Sequence, residues 1–459
     1  MSPIHGIPSI PMSPPPTEHA DPYVPGHGDL RYAVRRYDLD LTYKVAGNHL
    51  TGRAVLLTTM REATRVIELD LSSSLRVTGL SAVGAKVQRW SHRTGRVSLR
   101  FAADVAAGSI VTITLAYQGN PRPMRGPDGL AGWEELTDGV IVASQPHGAP
   151  SWYPCNDRPS DKATYRISVA CDPAYTVVAN GRLTARRKAG RLTQWTYVQD
   201  EPMAPYLATV QIGLYEVREQ GPPEDSAGVA CRVAGPPRLR AALDAAFADQ
   251  PRMMTTFAEL FGPYPFAGYT AVITDEDLEI PLESQTISTF GTNFVNRTWE
   301  SQRLIAHELA HQWFGNCVTV GQWSDIWLHE GFACYAEWLW AEAAGVATVP
   351  EEVAQHWRRL AAKPQDLVIG APGAKDMFDD RVYKRGALTL HALRCDVGDE
   401  AFFRILREWV ERYRYASAST ADFEALAARV AGRRLTALFD VWLRETAVPT
   451  LPVPASSLN

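Results

Sequence analysis

No stretch of this chain approaches the run of about eighteen apolar residues that a membrane-spanning helix requires, so the sequence predicts no membrane span. There is no basic excess. The 46 Lys and Arg stand against 51 Asp and Glu, a formal net charge of −5, which argues against a nucleic-acid partner because a phosphate backbone calls for a basic face. Cysteine is sparse: the six, at positions 155, 171, 231, 317, 334 and 395, form no C-x-x-C pair. That pattern fits reduced, mostly buried thiols better than a disulfide framework, and implies a cytoplasmic location. A signal peptide is also lacking. No basic region precedes residues 4–10, and His5, Gly6 and Pro8 interrupt them.

What the first half lacks is helical periodicity. Segments 37–43 (YDLDLTY), 111–115 (VTITL) and 165–169 (YRISV) alternate in and out, as half-buried strands do, and Gly47-Asn48 and Asn180-Gly181 are turn dipeptides. Residues 1–27, with Pro14-Pro15-Pro16, are expected to be a disordered Pro-rich leader. An all-β domain is expected over 28–218. A break at Gly221-Pro222-Pro223 precedes a change of period. Residues 238–261 read as helix, 271–274 as a strand, and helices are expected at 328–344, 351–361, 386–397, 400–413, 421–430 and 435–445. The fold class is therefore multidomain α+β: a β domain, a mixed α/β domain over 219–450, and a tail at 451–459.

The chemistry concentrates in residues 303–335. His307-Glu308-Leu309-Ala310-His311 is the pattern H-E-x-x-H, within a stretch whose apolar residues Ile305, Leu309 and Trp313 repeat at helical spacing. Residues four apart on a helix lie about 40° apart around its axis, so both imidazoles can reach one metal ion, with Glu308 placed to act on water beside it. Catalytic zinc takes three protein ligands and keeps one open position. A third His six residues on, the metzincin solution, is excluded because Cys317 stands there. Glu330, in Trp327-Leu328-His329-Glu330-Gly331-Phe332-Ala333, supplies the two-His, one-Glu alternative of thermolysin-like sites. His329 adjoins Glu330 but points about 100° away, and is read as a non-ligand. Glu337, two turns beyond Glu330, is either a carboxylate that orients a metal-bound His or an ordinary helix Glu.

H-E-x-x-H followed after eighteen residues by Glu resembles the signature of the aminopeptidase N family of zinc peptidases, which includes leukotriene hydrolases. The resemblance implies a thermolysin-like catalytic domain after the β domain, one Zn²⁺ per chain held by His307, His311 and Glu330, and Glu308 as general base. Tyr383, in Tyr383-Lys384-Arg385-Gly386-Ala387, corresponds to the family's oxyanion-stabilising tyrosine, with Arg385 where Lys is common. Glu283, 24 residues before His307, matches the family's α-amine anchor, although Ile280, Pro281, Leu282 and Ser284 replace the rest of its Gly-Ala-Met-Glu-Asn strand. Gln145, ahead of the segment 152–157 (WYPCND), resembles a cleft residue that helps bind the substrate amine or first side chain. The family's large C-terminal helical domain is not matched by this sequence.

These features imply a zinc metallopeptidase acting on peptides, foremost an aminopeptidase. The alternatives are an endopeptidase or dual-mode peptidase that trims a particular peptide, such as a leader, and a zinc-free peptide-binding protein. A complete set of His307, Glu308, His311, Glu330 and Tyr383 argues against the last.

Overall fold

The computed structural model describes residues 21–126 and 129–451. Alternation of apolar and polar residues builds the N-terminal half. In the strand Tyr32–Lys44, Tyr37, Leu39, Leu41 and Tyr43 are buried while the residues between them are not. That strand lies at the centre of a seven-stranded sheet. It pairs in parallel with Ala163–Cys171 (Leu39 opposite Ile167) and antiparallel with His49–Met60. A three-stranded sheet (Thr64–Asp70, Arg96–Val105, Val87–Arg93) and a five-stranded sheet ending in Thr176–Ala179 and Val210–Gly213 complete the β domain.

The next strand, Glu216–Glu219, pairs with Ala230–Gly235 in the second domain's sheet. The boundary therefore falls near residues 214–215, not at 218/219, because hydrogen bonding assigns a strand to whichever sheet its edge completes. In that sheet Ala230–Gly235, Gly268–Ile273 and Ile287–Phe290 run parallel, and the short strand Leu282–Ser284 closes the edge antiparallel. The helices are α1 (Arg240–Ala246), α2 (Gln250–Phe261), α3 (Trp299–Ala310), α4 (Trp327–Ala344), α5 (Val349–Ala361), α6 (Asp380–Val397), α7 (Asp399–Arg412) and α8 (Thr420–Ala431). The single helix expected over 238–261 is broken between α1 and α2. Pro251 lacks a backbone N–H, which a helix can forgo only in its first turn, so the chain restarts there. The expected helix over 435–445 is a short α-turn, Thr436–Phe439, that widens to a π-turn at Asp440–Arg444.

Residues 1–20 of the expected leader lie outside the described residues, as does the tail from 452 onward. Residues 21–27 depart from the expectation of disorder. Asp21 accepts a hydrogen bond from the Trp323 backbone (2.7 Å), the Tyr23 hydroxyl accepts one from Gly373 (2.7 Å), Val24 is buried in the core, and His27 meets Asp157 (2.7 Å). The Pro-rich composition around them conceals these anchors, which strap the β domain to the helical one.

The two domains meet around residues 283–289 and 314–317. Asn180 donates to the Gln285 carbonyl (2.6 Å), Gln211 to Thr289 (3.1 Å) and Tyr206 to the Gly315 carbonyl (3.3 Å). Lys162 donates from Nζ to the carbonyls of Asn316 and Cys317, both at 2.9 Å. Burial lowers the Lys162 ammonium from its ordinary 10.5 to about 7. Between those values the unfolded chain binds a proton that the folded chain does not, so this group makes stability rise with pH, by at most about 1.4 kcal/mol per pH unit. Lys162→Met should flatten that rise between about pH 7 and 9 in urea denaturation; identical slopes in both proteins would show that the lysine is not depressed.

Candidate metal centre and active site

The Thr298 hydroxyl caps α3 by accepting from Ser301 N, and the helix runs on without Gly or Pro to the histidines. Nε2 of His307 and Nε2 of His311 each lie 3.5 Å from the same carboxylate oxygen, Oε2 of Glu330 on α4. Ligand atoms at about 2.0–2.1 Å from a tetrahedral zinc lie about 3.3–3.5 Å apart, so the trio fits one ion. The opposite ring nitrogens are committed elsewhere. His307 Nδ1 meets Glu337 Oε1 at 2.7 Å, and His311 Nδ1 meets the Phe314 carbonyl at 3.0 Å. With each Nδ1 donating, each Nε2 presents its lone pair to the common point.

Charge leads to the same cation. Glu283, Glu308, Glu330 and Glu337 are all buried. Burial opposes ionisation of Glu330 and Glu337, but two imidazoles at the first, and Lys384, His307 and Arg303 at the second, hold both well below the usual carboxylate range. Burial drives Glu308 up to about 8, with Glu283 and Glu330 adding to the rise against the pull of His307 and His311. For His311 burial acts downward, yet the carboxylates of Glu283, Glu330 and Glu308 lift it to about 10. Glu308 Oε2 is buried with no hydrogen-bond partner. Two imidazoles and several carboxylates converging around an orphaned oxygen are a donor set suited to a divalent metal.

Close helix packing brings in Tyr383. Gly331 on α4 and Gly386 on α6 cross so tightly that a Cβ on Gly331 would lie 2.8 Å from Gly386 backbone atoms. The crossing sets Tyr383, three residues before Gly386, over the site, its ring stacked on His307 at 5.9 Å. Burial and the carboxylates of Glu330, Glu283 and Glu308 hold its hydroxyl well above the usual tyrosine value, so it stays a donor. Arg385 serves packing instead. It is buried and reaches the carbonyls of Val441, Trp442, Glu445, Thr446 and Ala447.

Glu283 sits on the edge strand Leu282–Ser284, opposite Ser288. Gln145 of the β domain donates from Nε2 to Glu283 Oε1 at 2.7 Å. Glu283, Glu308 and His311 place ligand-type atoms within 4.8 Å of one another. The following turn is held from several sides. Thr286, at φ 69°, accepts at Oγ1 from Gly181 N (2.9 Å) and donates its N–H to Gln312 Oε1 (2.8 Å). Asn316 and Gln312 both donate to the Ser284 carbonyl at 3.0 Å. All seven residues picked from the sequence thus converge on one buried locus. His329 does not join them: its Nε2 accepts from Val320 N (2.9 Å), and burial lowers its pKa to about 3.

The fold has close relatives among solved structures. A variant of the M1 zinc metallopeptidase of Deinococcus radiodurans, bound to a Tyr-Ser-Ala substrate, superposes with a TM-score of 0.87 at 31% identity, covering 95% of this chain and 99% of that one. This chain belongs to the M1 zinc metallopeptidase family. Residues 34–207 match the peptidase M1 N-terminal domain and 246–442 the peptidase family M1 domain, in the β-then-catalytic order expected from the sequence. Among curated M1 relatives, aminopeptidase M1-D of Oryza sativa subsp. japonica is 24% identical over 92% of this chain and 51% of its own length. Aminopeptidase N of Streptomyces lividans is 26% identical over 64% of this chain and 36% of its own. The chain thus spans about half, or less, of the curated relatives it matches.

Three groups at this M1 site escaped sequence reasoning. The Phe314 carbonyl is a backbone group, and no residue type announces it. Arg303 Nη1 and Lys384 Nζ flank Glu337 Oε2 at 3.1 and 3.7 Å. Arg303 lies one helical turn before His307 on the same face, which was a usable signal. Of the two roles open to Glu337, the geometry matches the orienting one. Glu337→Gln should lower zinc affinity by about 10–100-fold in a chelator competition, with the fold retained by circular dichroism; unchanged affinity would make it an ordinary buried pair.

Proposed function

We propose that this chain is a zinc aminopeptidase that removes N-terminal residues from peptides, with one zinc per chain held by His307, His311 and Glu330. The observation that carries the reading is the Gln145–Glu283 pair at 2.7 Å, set beside Glu308 and His311. A buried carboxylate there is a partner for an ammonium group, and it stops a substrate chain about one residue beyond the metal ligands. The named relatives support the same class: aminopeptidases in rice and Streptomyces, and a Deinococcus enzyme with a bound tripeptide.

When bound, zinc supplies Lewis-acid polarisation of a carbonyl and acidifies water. The protein's own groups do the rest. Glu308, ionised, accepts a proton from the attacking water and returns it to the departing amine nitrogen. The Tyr383 hydroxyl donates to the carbonyl oxygen as negative charge grows there. Glu283, with one oxygen fixed by Gln145, holds the substrate ammonium so that the first peptide bond lies at Glu308. A cytoplasmic location is part of the proposal. Its supports are six unpaired cysteines, five of them buried, and, among the described residues, no helix long and apolar enough to cross a membrane.

The deciding experiment compares an aminoacyl arylamide with its N-acetylated form, with and without chelator. Chelator-sensitive turnover of the free amine alone is expected, and equal turnover of both would sink the aminopeptidase reading. Glu308→Ala should keep its zinc by metal analysis while losing at least about 100-fold in kcat. Glu283→Ala should depress the free-amine substrate far more than an N-blocked peptide, mainly through KM; a uniform loss would remove its role as amine anchor.

A further inference from the structure

Three consecutive residues leave α6 in three directions, as side chains about 100° apart around a helix must. Tyr383 enters the metal centre, its ring stacked on His307 at 5.9 Å. Arg385 reaches the carbonyls between 441 and 447. Lys384, between them, crosses to α4. Its Nζ donates to Cys334 Sγ at 3.2 Å and lies 3.7 Å from Glu337 Oε2. Both partners share the α4 face that carries Glu330: Cys334 stands one turn beyond that residue and Glu337 two.

The crossing of α4 and α6 calls for such a fixture. At its tightest point it is glycine on glycine, Gly331 against Gly386. That lets the backbones approach, but two glycines have no side chains to interlock, so they do not oppose rotation of α6 about its own axis. A phenolic oxygen stands roughly 8 Å from the axis of its helix, so a turn of about 10° moves it by about 1.4 Å. Misplacement on that scale costs about 100-fold in rate. The Lys384 side chain is 13% exposed, so its attraction to Glu337 is screened by water less than a surface pair would be. Glu337 keeps two other partners if the lysine is lost: Arg303 at 3.1 Å and His307 Nδ1 at 2.7 Å.

We propose that Lys384 is a positioning residue: bound to Cys334 and Glu337 on α4, it fixes the rotation of α6 and with it the place of the Tyr383 hydroxyl. The inference rests on the zinc aminopeptidase reading above. It adds to that reading a residue that touches neither substrate nor metal.

The test uses the zinc-loaded full chain and the aminoacyl p-nitroanilide it cleaves fastest. If the unaltered protein shows no chelator-sensitive cleavage of any such arylamide, the aminopeptidase reading falls, and this inference with it. Lys384→Met keeps the apolar stem and removes the ammonium. It should lower kcat by about 10–100-fold with KM little changed, and Lys384→Arg, which keeps the charge, should recover part of the loss. Unchanged kcat in Lys384→Met would overturn the proposal while leaving arylamide cleavage intact. The deciding comparison is made in Tyr383→Phe, which lacks the hydroxyl. There Lys384→Met should lower kcat by no more than about twofold, because no hydroxyl is left to displace; equal losses in the two backgrounds would overturn the role. Chelator competition gives a reading independent of turnover. Lys384→Met should hold zinc more tightly than Glu337→Gln does, and an equal fall in affinity would show the lysine acting on the metal through Glu337 instead. Should Lys384→Met fail to fold, Cys334→Ala, which removes one of the lysine's two partners, is carried through the same cycle with the same outcomes deciding.

Discussion

The site depends on a surplus of buried negative charge. Four glutamates, at 283, 308, 330 and 337, lie out of water within one small region. An isolated buried carboxylate is costly unless paired, so each needs a counter-charge or a proton. Glu337 has Arg303, Lys384 and His307; Glu330 has two imidazoles; Glu283 has the Gln145 amide. Glu308, with a free oxygen, is the least satisfied. A divalent cation is the economical answer to this imbalance. Without one, the region must keep protons where it would otherwise hold metal.

Elements from both domains cooperate to hold that arrangement. His307 and His311 stand at the end of α3, Glu330 on α4 and Tyr383 on α6, and the glycine crossing sets the spacing of α4 and α6. The edge strand with Glu283 is fastened on one side by Gln312 and Asn316, and on the other by Asn180, Gly181 and Gln145 of the β domain. The Gln145–Glu283 end of the site is thus built across the domain boundary, whereas His307, His311 and Glu330 lie within one domain. Relative motion of the domains would disturb the Gln145–Glu283 pair before it disturbed the imidazoles.

Much of this was legible in the residues because it is written in spacing. Two histidines a turn apart share one face of their helix, and two glutamates two turns apart share one face of the next, by helical arithmetic alone. Strand alternation likewise marked the β domain. Three things were not legible, for physical reasons. The strap at residues 21–27 gains its order from long-range contacts with Trp323, Gly373 and Asp157, which local composition does not encode. The Phe314 carbonyl acts through the backbone. The domain boundary follows which sheet edge accepts Glu216–Glu219, a matter of tertiary pairing.

Arg385 links two distant regions of the chain. Its flat, many-handed guanidinium gathers the carbonyls of five residues between 441 and 447, a span that the three hydrogens of a lysine ammonium would leave partly unmet. The same α6 turn carries Tyr383 two residues earlier. Fraying of the 441–447 segment would strand a cation in the interior and loosen the turn beneath the phenol. Wear at a segment remote from the site would then register as a misplaced hydroxyl, even with His307, His311 and Glu330 undisturbed.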